Sequence, residues 1–177
     1  CGLLFDIDHK FFKDTLLKEQ NIEIEDHFAI AQVFYKDDLT SILPKIKKIL
    51  KDENLKLITH RLVPTKKNIL GRIAIDCMPQ IYQLFIKPNS KDFNQDIFET
   101  SLIQARKFIE EIYLDDEVLY LCSMSSKTIV YKGLMLPNAI KEFYVDLNEE
   151  NFKASTCVFH QRFSTNTSPR WHLAQPF

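Results

Sequence analysis

Hydrophobic and polar positions along the chain follow two alternating periods, which predicts a mixture of strands and helices. Short apolar runs such as GLLFDI near the start and HFAIAQVFY at 27–35 are typical of buried strands. HKFFKDTLLKEQ at 9–20 and LTSILPKIKKILKDE at 39–53 repeat apolar residues at helical spacing. The clearest helix is NQDIFETSLIQARKFIEEIY at 94–113, whose predicted apolar stripe comprises Ile97, Leu102, Ala105, Ile109 and Ile112.

The remaining elements complete a single domain over residues 1–177. LKLITHRLVP, QIYQLFIKP and ASTCVFHQRF predict three more strands, and NILGRIAIDCMP and NAIKEFYVDL predict short helices. EVLYLCSMS and TIVYKGL predict two strands that form a hairpin through a turn at 125–127. Because hairpin strands are antiparallel, this pattern argues against a purely parallel sheet and favours an α+β fold.

Composition narrows the classes of function. Lys+Arg 23 against Asp+Glu 24 leaves a net charge of -1, which gives no electrostatic reason to expect nucleic acid or a membrane surface as partner. No uncharged apolar run approaches the ~20 residues that cross a bilayer, and three glycines without a GxGxxG pattern exclude the usual phosphate loops. The cysteines show no CxxC pair, so we predict a cytoplasmic protein with reduced thiols and no metal site, in which Cys77, Cys122 and Cys157 are buried.

Candidate chemistry is concentrated in the last twenty residues, VFHQRFSTNTSPRWHLAQPF. An apolar strand leads directly into Arg162 and a run of hydroxyl and amide side chains that includes Thr165. The planar guanidinium of an arginine can bind a carboxylate through two parallel hydrogen bonds. The alternative is a polar turn capped by its own Ser, Thr and Asn side chains, with Arg162 in an internal ion pair. Trp171 is expected to anchor the loop that follows Pro169.

The same stretch carries a family resemblance. FHQRFSTNTSPRWHLAQPF resembles the glutamine-binding segment in the glutaminase domain of the bacterial glutamate synthase large subunit. Further segments agree in order and spacing, namely CGLLFDIDHKFF, HRLVPTKKNILGRIAIDCMPQIYQLFI, YLCSMSSKTIVYKGLMLP and FYVDL. The resemblance covers nearly the whole chain. It implies a class II glutamine amidotransferase of the N-terminal-nucleophile hydrolase type, a four-layer α/β/β/α sandwich with mainly antiparallel sheets.

The resemblance also implies a reaction. Glutamate synthase hydrolyses L-glutamine to glutamate and ammonia, and transfers the ammonia reductively to 2-oxoglutarate. By similarity, Arg162 would bind the glutamine α-carboxylate, Thr165 would assist it, and Phe163 would wall the pocket. No cofactor is expected in this chain, whereas FMN and an iron–sulfur cluster are implied for the parent enzyme. The implied partners are the remaining domains of the same polypeptide and a small electron-donating subunit.

The role of Cys1 is left with alternatives. A cysteine–glycine start matches an N-terminal nucleophile, but LLFDIDHKFF matches an interior strand and helix of the family's domain. In that register Cys1 occupies a small-residue position after a Gly-Asp-Gly triplet, and the sequence stops before the family's oxyanion-hole Asn-Gly pair. We therefore expect a partial domain with the glutamine-binding segment but without nucleophile or oxyanion hole, inactive by itself. The alternatives are a complete glutaminase with Cys1 as nucleophile and its α-amine as general base, or a non-catalytic amino-acid-binding module.

Overall fold

The part of the chain that the structure describes contains seven strands and five α-helices. The structure is a computed structural model that describes residues 1–90, 92–113, 115, 118–162 and 170–176. The helices are α1 (His9–Gln20), α2 (Leu43–Asp52), α3 (Arg72–Asp76), α4 (Gln95–Ile112) and α5 (Ala139–Phe143). The strands are β1 (Gly2–Asp6), β2 (Ala29–Tyr35), β3 (Leu55–Leu62), β4 (Gln80–Pro88), β5 (Leu119–Ser125), β6 (Thr128–Lys132) and β7 (Cys157–His160).

The strands form two antiparallel sheets. One has the order β6-β1-β7 and the other has the order β3-β4-β2-β5. The predicted α+β fold is therefore confirmed, but the predicted hairpin is wrong, because β5 pairs with β2 and β6 pairs with β1. The Glu99 carboxylate on α4 accepts a hydrogen bond from the Ser126 amide at 2.7 Å, and the Lys127 carbonyl accepts one from Ile7 at 2.9 Å. These contacts hold the turn so that the chain passes from one sheet to the other.

The elements are stacked in layers with two hydrophobic cores. One core lies between the four-stranded sheet and the pair α2 and α4, and the second joins the opposite face of that sheet to the three-stranded sheet and α1. On α4 the buried stripe is Phe98, Leu102, Ala105 and Ile109. The predicted stripe was wrong at both ends, since Ile97 is 67% exposed and Ile112 is 49% exposed. Spacings of four, three and four keep the observed stripe on one helix face, and Ile97 falls beside it.

A row of buried polar side chains crosses the four-stranded sheet. Arg61, Gln83, Gln32 and Ser123 are neighbours in register on β3, β4, β2 and β5. Arg61 Nε donates to Gln83 Oε1 at 2.7 Å, and Gln83 Nε2 donates to the hydroxyl of Tyr131 on β6 at 3.1 Å, which links the two sheets. Gln32 is fully buried, and neither atom of its amide has a hydrogen-bond partner among the described residues.

Candidate functional site at the end of the three-stranded sheet

The predicted carboxylate-binding residue lies just beyond the edge strand β7. Arg162 follows β7 by two residues and its side chain is exposed. Within the described residues β7 pairs with β1 alone, and it exposes 52% of Val158 and 64% of Phe159. Phe163 and Thr165 lie outside the described residues, so their predicted roles stay predictions. The structure thus presents the Arg162 guanidinium to solvent beside an open sheet edge.

Three strands bring distant residues together at this end of the sheet. Gly2 on β1 lies in register between Lys132 on β6 and His160 on β7. Lys132 is fully buried, and its ammonium donates to the hydroxyl of Tyr120 and to the carbonyl of His172, both at 3.0 Å. The same ammonium lies 4.4 Å from the centre of the Tyr120 ring, which is a cation–π distance. Nδ1 of His160 is buried without a hydrogen-bond partner in the described ranges.

Residues 170–176, which we call the clasp, cross the same end of the sheet. The Trp171 side chain is buried, its indole N–H donates to the carbonyl of Ala74 at 3.1 Å, and its ring meets Phe34 edge-on at 5.8 Å. The prediction that Trp171 anchors this loop is therefore confirmed. A cavity of about 600 Å³ lies between the clasp and α3, with Phe34 and Trp171 among its apolar walls and Lys36 among its charged groups. This volume is in the range of small-molecule sites.

Cys1 belongs to the sheet and to the core. Its amine donates to the Gly133 carbonyl at 3.0 Å and its carbonyl accepts from the Gly133 amide at 2.9 Å, so the residue continues the β1–β6 ladder. Only 4% of Cys1 is exposed. Burial lowers the pKa of the Cys1 α-amine, and the nearby charge of Lys132 lowers it further. The structure therefore packs Cys1 among apolar side chains and away from solvent.

The other three cysteines differ in burial. Cys122 is buried as predicted, and this burial raises the pKa of its thiol to about 12. The prediction was wrong for Cys77 and Cys157, which are exposed, because Cys77 caps the end of the short helix α3 and Cys157 begins the edge strand β7.

No group of three metal-ligating side chains occurs among the described residues. In the same part of the chain no helix has the length and apolar character to cross a membrane.

A second cleft, of about 780 Å³, lies at the other end of β1 and is lined by acidic and basic side chains. Its Asp6 carboxylate accepts hydrogen bonds from Ser155 and from the Thr156 amide, at 2.7–3.1 Å. The Thr156 amide and then Ser155 lower the pKa of Asp6 to about 2. Asp8 caps α1 by accepting from the Phe11 amide at 3.0 Å. Both carboxylates are therefore engaged in holding backbone.

Sequence reasoning missed Lys132, Gly2 and Gly133 as parts of the site at the sheet end. A usable signal was the scarcity of glycine, since two of the three glycines in the chain lie where the clasp crosses the sheet. Lys132 gave no local signal, because it ends an ordinary strand pattern.

Comparison with known proteins gives one consistent answer. The family model described as class-II glutamine amidotransferases matches residues 1–177. The chain is 38% identical over 183 residues to a chloroplastic ferredoxin-dependent glutamate synthase of Oryza sativa subsp. japonica, covering 99% of this chain and 11% of that protein. It is 34% identical to the NADH glutamate synthase of Saccharomyces cerevisiae over 189 residues, which are 99% of this chain and 9% of that protein. It is 32% identical to the NADPH glutamate synthase large chain of Azospirillum brasilense over 183 residues, which are 100% of this chain and 12% of that protein. The chain thus spans about a tenth of the length of these curated relatives.

Proposed function

Because the chain belongs to the class-II glutamine amidotransferases, we propose that it forms part of the glutaminase domain of a glutamate synthase. The predicted resemblance to glutamate synthase is confirmed by the family model and by the relatives. The proposed reaction is the hydrolysis of L-glutamine to glutamate and ammonia, with the ammonia passed to 2-oxoglutarate by other domains of the polypeptide. FMN and an iron–sulfur cluster would act in those domains. The small electron-donating subunit and the cytoplasmic location stay predictions.

The observation that carries this proposal is the position of Arg162. Its exposed guanidinium follows the open edge strand β7, close in sequence to the sheet end formed by Gly2, Lys132 and His160. A guanidinium in this place can bind the α-carboxylate of glutamine through two parallel N–H···O bonds. Phe163 and Thr165 follow directly in the chain and are proposed to contact the rest of the substrate.

We further propose that Cys1 is not the nucleophile. Its thiol belongs to a residue that is only 4% exposed, and its backbone is fixed in the β1–β6 ladder. A thiolate that attacks a solvent-borne amide must reach that amide, and burial also disfavours the charged thiolate. The attacking thiol is therefore proposed to be one other than that of Cys1, and the location of the nucleophile and the oxyanion hole outside these residues, which the family resemblance implies, stays a prediction.

Steady-state glutamine hydrolysis tests both assignments, using the full polypeptide encoded by the reading frame. Arg162→Ala should lower kcat/KM about a hundredfold, since hydrogen bonds to charged groups contribute about 1.5–3 kcal/mol each. Arg72→Ala is the matched control, because the Arg72 side chain is 94% exposed and lies far from β7 in the chain. Cys1→Ala should retain hydrolysis.

Three results would change the assignment. An Arg162→Ala variant as active as the Arg72→Ala control removes Arg162 from the substrate site. Loss of hydrolysis in Cys1→Ala makes Cys1 catalytic. Calorimetric binding of glutamine without any turnover by the full polypeptide would identify an amino-acid-binding module.

A further inference from the structure

The cavity between the clasp and α3 has aromatic walls that the fold holds in place. Trp171 is buried, and its indole N–H donates to the Ala74 carbonyl at 3.1 Å, so only the face and edges of its ring are left for contacts with a ligand. Phe34 meets that ring edge-on at 5.8 Å, and Phe143 packs against it at 5.8 Å. The volume of about 600 Å³ is that of a small-molecule site, and such sites are mostly apolar and largely preformed.

Apolar surface is also left uncovered on the solvent side of this cavity. Ile73 on α3 lines the cavity and is 78% exposed, which is the largest exposed fraction of any large hydrophobic residue in the described part of the chain. Met78 and Pro79, which follow α3, line the cavity as well. A single exposed isoleucine is ordinary on a protein surface. Here it adjoins an apolar cavity, so an apolar ligand that enters the cavity also removes Ile73 from water.

The charged groups that line the cavity favour an anion. Lys36 lies just beyond the end of β2, and because its amide continues the hydrogen bonds of the sheet, its side chain points to the same side as that of Phe34. Lys36 forms no ion pair with any other described residue. Arg170 adds a second positive charge, whereas the carboxylate of Asp76 is paired with Arg72 at 3.9 Å. The described lining residues therefore carry a net positive charge.

We propose that this cavity binds a small organic anion, a carboxylate or its chemical equivalent, with an aromatic or branched apolar body. The apolar body lies against the Trp171 ring and Ile73, and Lys36 pairs with the anionic group. The site goes beyond the proposed function, which assigns no role to the described residues that line it. Occupancy of the cavity is measured without any turnover, so the site does not depend on whether the polypeptide hydrolyses glutamine.

The first experiment uses Cys77 in the full polypeptide to report whether the cavity is filled. Cys77 is an exposed thiol that lines the cavity, and Cys157 on β7 is an exposed thiol outside its described lining, which makes Cys157 an internal control. The probe is anilinonaphthalene sulfonate, an aromatic anion, and peptide mass spectrometry gives the rate of iodoacetamide labelling at each cysteine. At a probe concentration about ten times its Kd, labelling of Cys77 should slow about tenfold, because only the empty site reacts. Labelling of Cys157 should not change.

Three results of this experiment would overturn the site. One is a Cys77 labelling rate that the probe leaves unchanged. Another is a Cys77 that does not react even without probe, because another part of the polypeptide then fills the cavity. The third is protection of Cys77 by L-glutamine, which is a polar zwitterion and should give none.

The second experiment tests the charge with a matched neutral probe, N-phenylnaphthylamine, which lacks only the sulfonate. Lys36→Met should raise the concentration of anilinonaphthalene sulfonate that half-protects Cys77 by about threefold to fivefold, the effect of one partly screened ion pair, and should leave that of the neutral probe unchanged. Lys56→Met is the matched control, because Lys56 is an exposed lysine on β3 outside the described lining of the cavity. Both lysines are exposed, so neither variant removes a buried contact. Equal weakening of the two probes by Lys36→Met, or no weakening of the sulfonate, overturns the assignment of an anion.

Discussion

Replacement of Asp146 by asparagine should destabilise the protein strongly. The Asp146 side chain is 4% exposed and forms an ion pair with Arg61, whose side chain is 2% exposed. The Tyr131 hydroxyl donates to the same carboxylate at 2.9 Å, and Nε and Nη1 of Arg61 donate to Gln83 and Glu19 at 2.7 and 3.0 Å. Burial raises the pKa of Asp146, although the charge of Arg61 acts in the opposite direction. The pair thus lies in a desolvated region, where an unmatched charge is costly.

The expected loss follows from leaving the Arg61 guanidinium without its buried counter-charge. Breaking one side of a buried ion pair costs about 3–5 kcal/mol. Glu19 remains as a second carboxylate, but its side chain is 39% exposed and so offers a weaker, screened attraction. We therefore expect a loss near the lower end, about 3 kcal/mol, which corresponds to a fall in Tm of roughly 6–12 °C for a chain of this length.

Urea unfolding of Asp146→Asn, Arg61→Met and the double variant measures this effect as a double-mutant cycle. The double variant should lose clearly less free energy of unfolding than the sum of the single variants, because it leaves no lone buried charge. Arg72→Met is the matched control, since its ion pair with Asp76 spans 3.9 Å between side chains that are 94% and 68% exposed. The control should change stability by no more than about 0.5 kcal/mol. An Asp146→Asn variant as stable as this control, or an additive cycle, would refute the reasoning.

Three further predictions use other buried or hydrogen-bonded groups. Gln32→Met should raise the free energy of unfolding in urea by about 1 kcal/mol, because the buried amide has no partner, whereas Gln83→Met should lower it; a destabilised Gln32→Met contradicts this. The folded pKa of Asp6, about 2, lies below its ordinary value of 3.8, so its stabilising effect is present above 3.8 and is lost as the pH falls through about 2. An NMR titration of the Asp6 carboxyl should give this low pKa, and a carboxyl that titrates at 3.8 would contradict the prediction. In wild type the hydrogen exchange of the Ser155 and Thr156 amides should depend on acid pH, and Asp6→Asn should remove that dependence. Native alkylation followed by mass spectrometry should modify the exposed Cys77 and spare Cys122, whose burial raises its pKa to about 12; labelling of Cys122 before unfolding would contradict this.

Local periodicity was sufficient for most of the elements. The helix predicted over 9–20 is α1 with the same ends, because its apolar residues recur at helical spacing and Asp8 supplies the cap. Local periodicity was insufficient where a contact from another element decides how strands pair. The β5–β6 turn looks like a hairpin in sequence, but in the structure Glu99 from α4 and the Ile7 amide bind the turn, and the two strands enter different sheets. Periodicity also left the phase of α4 ambiguous, since Ile97 and Phe98 are both apolar and only the sheet selects which one is buried.

For the candidate site too, some features follow from the sequence and others only from the tertiary structure. The sequence by itself determined the family and singled out Arg162, since long motifs in order are a property of the chain alone. Only the tertiary structure showed that Cys1 is packed in the core, that Cys77 and Cys157 are exposed, and that Lys132 donates a hydrogen bond to the clasp while Gly133 leaves space for the Trp171 ring. The physical reason is sequence distance: Gly2, Lys132 and the clasp meet in one place although they are far apart along the chain. Backbone periodicity reports on neighbours within a turn or a strand, whereas these contacts exist only after the two sheets have packed together.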